Sequence, residues 1–169
     1  MKKTVLVFGV LSGLVSAALM FATVPFLEKI GFDKGLFVGY TAIVLSLLFV
    51  YFGVRSYRDN QLGGSIAFGR AFGVGILITL ISCVFYVAAW QVVKANFMPD
   101  FADQYAARIM DDARKAGASE AELAKTSAEM ADMKRMMNHP IYGPAMVFIE
   151  PFPVGVLVTL ISAAVLRKK

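Results

Sequence analysis

Four long apolar stretches divide the chain: Thr4 to Leu27, Leu36 to Val54, Ala71 to Val93 and Pro144 to Leu166. At a rise of roughly 1.5 Å per residue each is long enough to cross a hydrocarbon core of roughly 30 Å. The pattern therefore predicts an all-α integral membrane protein with four transmembrane helices, at about 4–27, 36–54, 71–93 and 144–166. The first stretch competes with a signal peptide, since Lys2 and Lys3 precede it and Ser16, Ala17 and Ala18 supply small residues. Its apolar run continues to Leu27, beyond the roughly 7 to 15 residues of such a signal, so a retained anchor is expected.

Between the spans the connections differ. Glu28 to Gly35 reads as a tight turn, and Arg55 to Gly69 as a loop with the breaker run Asn60 to Ser65. The insert 94–143 is hydrophilic and helical in period. Phe101, Tyr105, Ile109 and Ala113 recur every four residues from Asp100 to Ala116, with Gly117 as the stop. Ser119 and Glu122 form a capping box before a second helix. There Leu123, Met130 and Met137 repeat every seven residues, with Thr126 and Met133 between them. The expectation is a helical hairpin between the third and fourth spans, ended by His139 and Pro140, the whole chain forming a single membrane domain.

Composition adds class and orientation. The 169 residues are 58% hydrophobic and 17% charged, which excludes an ordinary soluble domain and a disordered chain. Cys83 is the one cysteine, so no intrachain disulfide forms. Lys2, Lys3, Arg55, Arg58, Arg70, Arg167, Lys168 and Lys169 face only Asp59 if both termini are inside, giving that side net +7 against −2 outside, out of the chain's +5. The positive-inside rule then puts both termini in the cytoplasm and the hairpin on the extracytoplasmic side of a multi-pass protein of the bacterial inner membrane. The dispersed basic residues have no aromatic platform, so anionic lipid is the expected partner and nucleic acid is not.

Small residues at fourth positions mark candidate helix seams: Gly9, Gly13 and Ala17; Gly35 and Gly39; Gly69 and Gly73; Gly155, Thr159 and Ala163. Val74 to Ser82 also reads almost as Val154 to Ser162 at a constant offset of eighty. Thr79 and Thr159 are nine and eight residues from Arg70 and Arg167, which sets both at the same depth. They are positioned to face each other across a packing seam.

The segment Gly64, Ser65, Ile66, Ala67, Phe68, Gly69, Arg70, Ala71, Phe72, leading into a glycine-bearing span, resembles the signature of the family called domain of unknown function 4199. The later order of Asn96, Pro99, Phe101 and Tyr105, a polar helical insert, then Gly155, Leu160, Ile161, Ser162 and a basic tail is similar too. It departs where Phe97 and Met98 stand between Asn96 and Pro99. The resemblance covers nearly the whole chain. It implies a small bacterial four-span membrane protein with no assigned activity and no catalytic residues to carry over.

Glu150 is the polar residue of most interest, because it stands inside the fourth stretch between Ile149 and Pro151-Phe152-Pro153. A carboxylate there is costly unless paired, protonated or interfacial. Two readings apply: a proton- or cation-linked site near Tyr86, Trp90, Gln91 and Lys94, or an interfacial cap of a helix beginning at Pro151. The cap is the simpler reading. Met130, Met133, Met136, Met137 and His139 present soft ligands suited to cuprous ion, but core packing by methionine accounts better for the stripe. His139 has no nucleophile beside it, and the glycines lack the strand context of a phosphate loop. The expectation is a protein without catalytic, metal or cofactor site, acting as a structural or assembly component through helix and lipid contacts, with a homo-oligomer or another membrane protein as the further partner alongside the lipid bilayer. The alternative is a small transporter or channel component using Glu150, Trp90, Gln91, Thr79 and Thr159.

Overall fold

The computed structural model describes residues 1–26 and 30–168. Leu27, Glu28 and Lys29, at the end of the first expected span and the start of the expected turn, lie outside the described residues, as does Lys169 of the basic tail. The helices are α1 (Lys2–Thr23), continued by a 3-10 turn at Val24–Phe26, α2 (Phe32–Gln61), α3 (Phe68–Phe97), α4 (Phe101–Lys115), α5 (Glu120–Asn138), α6 (Tyr142–Ile149) and α7 (Pro151–Leu166). No β-strand occurs among the described residues; one isolated bridge pairs Ile66 with Lys168. Four segments are long and apolar enough to cross a membrane: Lys2–Phe26, Lys34–Gln61, Phe68–Phe97 and Tyr142–Leu166.

The helices outrun the apolar stretches that announce them. α2 begins at Phe32, inside the expected turn, and runs on to Gln61 through the polar residues Arg55, Arg58, Asp59 and Asn60. Arg55 and Asp59 form an i,i+4 ion pair, and the Asn60 amide donates to Ser56 Oγ, so polar side-chain pairs support the turns that run past the apolar stretch. The loop after α2 is correspondingly short. Gly63 and Gly64 take φ of 64° and 94°, and the N–H groups of Leu62 and Gly64 both return to the Arg58 carbonyl, closing the helix end.

The chain divides into two compact units, Met1–Trp90 with Phe148–Lys169 and Gln91–Val147. In the first, α1 packs on α2 and α2 on α7. Ile43, Leu47, Val50, Val54 and Tyr57 form α2's buried stripe, spaced alternately four and three apart as in a coiled-coil seam. Leu45, Leu48 and Phe52, off that stripe, are exposed. Among the described residues the buried polar side chains of this unit, besides the tyrosines Tyr57 and Tyr86, are serines and threonines: Thr4, Ser12, Ser16, Ser46, Thr79, Ser82, Thr159 and Ser162. Apolar side chains outward and hydroxyls inward is the arrangement that suits a lipid surround, where small polar residues join helices and leucines face solvent-like tails.

In the second unit α4 packs on α5. The Lys134 ammonium near the end of α5 donates to Asp103 near the start of α4. Gly117 turns the chain with φ of 80°, and Ser119 opens α5 with both bonds of a capping box. Leu123, Thr126, Met130, Met133 and Met137 are half-buried while Met136 is exposed, so the seven-residue stripe is the less exposed side of α5. Lys94 Nζ donates to the Met137 carbonyl at 3.0 Å and to Asn138 Oδ1 at 2.9 Å, tying the end of α3 to the end of α5.

Candidate functional site

The polar groups of the first unit lie at separate levels. At the level expected from the repeat, Thr79 of α3 and Thr159 of α7, both fully buried, bring their hydroxyls to 3.1 Å, and Thr79 Oγ1 also donates to the Gly155 carbonyl at 3.4 Å. The contact is reciprocal. A methyl placed on Gly75 meets Thr159 Cγ2 at 2.7 Å, and one placed on Gly155 meets Thr79 Cγ2 closer still. Each helix thus offers a glycine to the other's threonine, and the eighty-residue repeat corresponds to a self-complementary crossing.

A second node joins three helices. Ser12 Oγ of α1 donates to the Ser46 carbonyl of α2 at 2.7 Å and lies 2.9 Å from Ser82 Oγ of α3. Glycine again permits the approach: added methyls at Gly9 and Gly13 would meet Ile81 at 2.8 Å and Phe85 at 2.5 Å. The small-residue ladders therefore divide. Gly9, Gly13 and Gly155 are packed against a neighbour, whereas Gly39, Gly69 and Gly73 have nothing within 4 Å of an added methyl, and the expected seams at those positions do not form within the described residues. Gly53 and Gly75, outside every ladder, carry close contacts instead, with Ile78 and Phe8 around Gly53 and Thr159 beside Gly75.

Glu150 stands between α6 and α7 with φ −68° and ψ −58°, so the chain stays helical through it. Pro151 and Pro153 lack the N–H groups that would bond one turn back, which accounts for the break. Glu150 holds the N-cap position of α7, but its side chain makes no capping bond. It accepts instead from the Tyr86 hydroxyl at 2.8 Å. Tyr86 is buried and Glu150 half-buried. No lysine, arginine or histidine among the described residues pairs with this carboxylate. Tyr86 was visible in the sequence only by its depth on α3; nothing local marked it as the partner.

Of the other candidates, Trp90 is half-buried one turn beyond Tyr86 on α3, and Gln91, also half-buried, belongs to the second unit. Thr159 is nine residues from Glu150 on nearly continuous helix, roughly 13 Å along the axis. The threonine pair and the carboxylate are thus two levels of the bundle and do not form one cluster. In the second unit, His139 Nδ1 accepts from the N–H groups of Ile141 and Tyr142 at 3.2 and 3.3 Å, so the imidazole supports the entry to α6. No group of three or more histidine, cysteine, aspartate or glutamate side chains is placed to hold a metal among the described residues.

This geometry offers helix-to-helix hydrogen bonds and one phenol–carboxylate pair. No curated protein and no solved structure matches the chain. The family whose sequence model matches residues 7–168 is described as "Protein of unknown function (DUF4199)", and with nearly its full length matched the chain belongs to that family.

Proposed function

We propose that the protein is a non-enzymatic, multi-pass component of the bacterial inner membrane that works through helix and lipid contacts in envelope structure or assembly. The observation that carries this reading is that the buried polar groups are spent on internal bonds. Ser12, Ser46 and Ser82 join three helices, Thr79 and Thr159 join two, and no buried side-chain nitrogen or oxygen among the described residues lacks a partner. A conducting or catalytic centre keeps polar groups open to a ligand; these are closed on one another. In this reading both termini face the cytoplasm and 94–143 forms an extracytoplasmic helical hairpin. The charge asymmetry supports that orientation, as does the bonding of Met1 and Lys168 to Gln61 and Ile66 at one end of the first unit. The bilayer is the constant partner, with a second copy or another membrane protein as the assembly contact. A reporter fused near Ala118 tests the orientation, and residence of the reporter in the cytosol overturns it.

One observation favours a second reading, a small transporter or channel component: among the described residues Glu150 has a single neutral hydrogen-bond donor, in an apolar segment broken by two prolines. Proteoliposome flux separates the two. Wild-type liposomes no leakier to protons and monovalent cations than empty ones support the structural role. Uptake that Glu150→Gln abolishes replaces it with the transporter.

A further inference from the structure

Four chain segments meet at one end of the first unit. The Met1 ammonium donates to Gln61 Oε1, and the Gln61 amide donates to Thr4 Oγ1, joining the start of α1 to the end of α2. Arg58 Nη1 donates to the Leu166 carbonyl at 3.4 Å, joining α2 to the end of α7. Ile66 and Lys168 exchange both backbone hydrogen bonds at 3.1 Å, pinning the tail beside the entry to α3. Ile66 and Leu166 are buried beneath this plate, at 2% and 3% exposure, so neither the tail nor the loop hangs free.

The charges on this plate are one-sided. Its segments carry Lys2, Lys3, Arg55, Arg58, Arg70, Arg167 and Lys168 against the single acid Asp59. Asp59 is already engaged, by Arg58 at 2.6 Å and Arg55 at 3.5 Å. Lys2, Lys3, Arg70, Arg167 and Lys168 are exposed and have no carboxylate partner among the described residues. The backbone pairing of Lys168 with Ile66, four residues before Arg70, gathers Arg167, Lys168 and Arg70 around one short loop. Just behind the loop, Phe68 is exposed and stacks on Phe72, presenting apolar rings beside the cations.

We infer that this end plate is a binding surface for anionic phospholipid, with the phosphodiester groups held by Arg70, Arg167 and Lys168 and the acyl chains lying along Phe68 and Phe72. The inference rests on the reading of the chain as a membrane protein, which sets this end at headgroup level. It goes further in assigning the residues. Side chains carried on a backbone already held by these bonds lose less freedom on meeting phosphate than side chains on a loose tail. A zwitterionic headgroup brings its own ammonium and gains little from them, so the surface discriminates by net lipid charge. Lys168 holds the loop through backbone atoms alone, so its side chain is available for this contact.

The test uses the full chain in symmetric nanodiscs, followed by native mass spectrometry of retained lipid, with phosphatidylglycerol and phosphatidylcholine as probes. The wild-type chain is expected to retain phosphatidylglycerol preferentially. The triple variant Arg70→Gln, Arg167→Gln, Lys168→Gln is expected to lose roughly fivefold of that preference per charge removed. Lys125→Gln, which removes a charge from α5, leaves the preference unchanged. If the triple variant fails to fold, Arg70→Gln alone, on an exposed side chain, carries the same test. Equal retention of the two lipids by the wild type, or a wild-type preference in the variant, overturns the inference. So does competition by inorganic phosphate alone, which would make the surface a free-anion site. Symmetric discs present the same lipid on both faces, so an error in orientation, read at Ala118, leaves this outcome untouched.

Discussion

The hydroxyls of Thr79 and Thr159 meet at 3.1 Å, and the methyl of each fills the space above a glycine of the other's helix. Sequence distance and spatial contact coincide here, because the eighty-residue repeat brings like to like. Two helices of opposite direction, each carrying Gly-x-x-x-Thr, can cross so that glycine and threonine exchange places across the contact. The close approach is what makes the hydroxyl bond short enough to form.

Gly155→Ala is therefore expected to destabilise the bundle by about 1–3 kcal/mol, the ordinary cost of overpacking, because the new methyl collides with Thr79 Cγ2. Thr79→Ser in the same chain removes that methyl, keeps the hydroxyl, and should recover most of the loss. Gly73→Ala, at a site with open space, should leave stability unchanged or raise it through helix propensity. Thermal unfolding in one detergent compares the four chains. No recovery by the serine would mean that the collision lies elsewhere.

At the three-helix node, Ser12→Ala removes the group that reaches both Ser46 and Ser82. Interhelical hydrogen bonds in membranes are worth about 0.6 kcal/mol on average and about 1.7 at most, so the loss should fall in that range. Ser12→Leu should cost more, since the fully buried serine leaves no room for a larger side chain. A leucine variant as stable as the alanine variant would show that α1 can move away from α2 and α3, and that the node is not a constraint.

The Tyr86–Glu150 pair calls for a double-mutant cycle. Glu150→Gln retains an acceptor for the Tyr86 hydroxyl and should cost little, whereas Tyr86→Phe strips the carboxylate of the Tyr86 donor and should cost more. The double variant should then lose less than the two single losses added together. Strict additivity in unfolding free energies would mean that the bond contributes nothing to the fold.

Much of this architecture was legible in residue pattern alone. The four apolar stretches, the capping box at Ser119, the stop at Gly117 and the Leu123-to-Met137 stripe are local signals, set by periodicity and turn chemistry over a few residues. The facing of Thr79 and Thr159 was also legible, because a shared depth and a repeat restrict where two residues can lie. What escaped was whatever depends on which helix face meets which neighbour. Gly53 and Gly75 are packed and Gly69 and Gly73 are not, yet all four are glycines on apolar helices. Likewise nothing near Glu150 names Tyr86, and nothing near Lys94 names Met137 and Asn138. Helix ends depart from the apolar pattern where polar residues extend a helix past its apolar core, as Arg55, Asp59 and Asn60 do in α2.

The capping box gives a pH prediction whose sign follows from its bonds. Glu122 accepts from the Ser119 N–H and from the Ser119 hydroxyl, each at 2.8 Å, and these donors hold its carboxyl below the usual glutamate range. A carboxyl whose folded-state value is depressed stabilises the fold fully above its unfolded value of about 4.3, and that contribution fades as pH falls through the lower, folded value. The start of α5 should accordingly loosen on acidification, while neutral and alkaline solutions leave it alone. Amide hydrogen exchange at Leu123, whose N–H bonds the Ser119 carbonyl at 2.9 Å, reads this locally. After correction for intrinsic rates, its protection should fall below about pH 4 in the wild type. In Ser119→Ala, which removes the hydroxyl half of the box, protection should already be lower at neutral pH and its dependence on acid weaker. Protection that is equal at both pH values in the wild type would show that the box, though formed, does not hold the helix end.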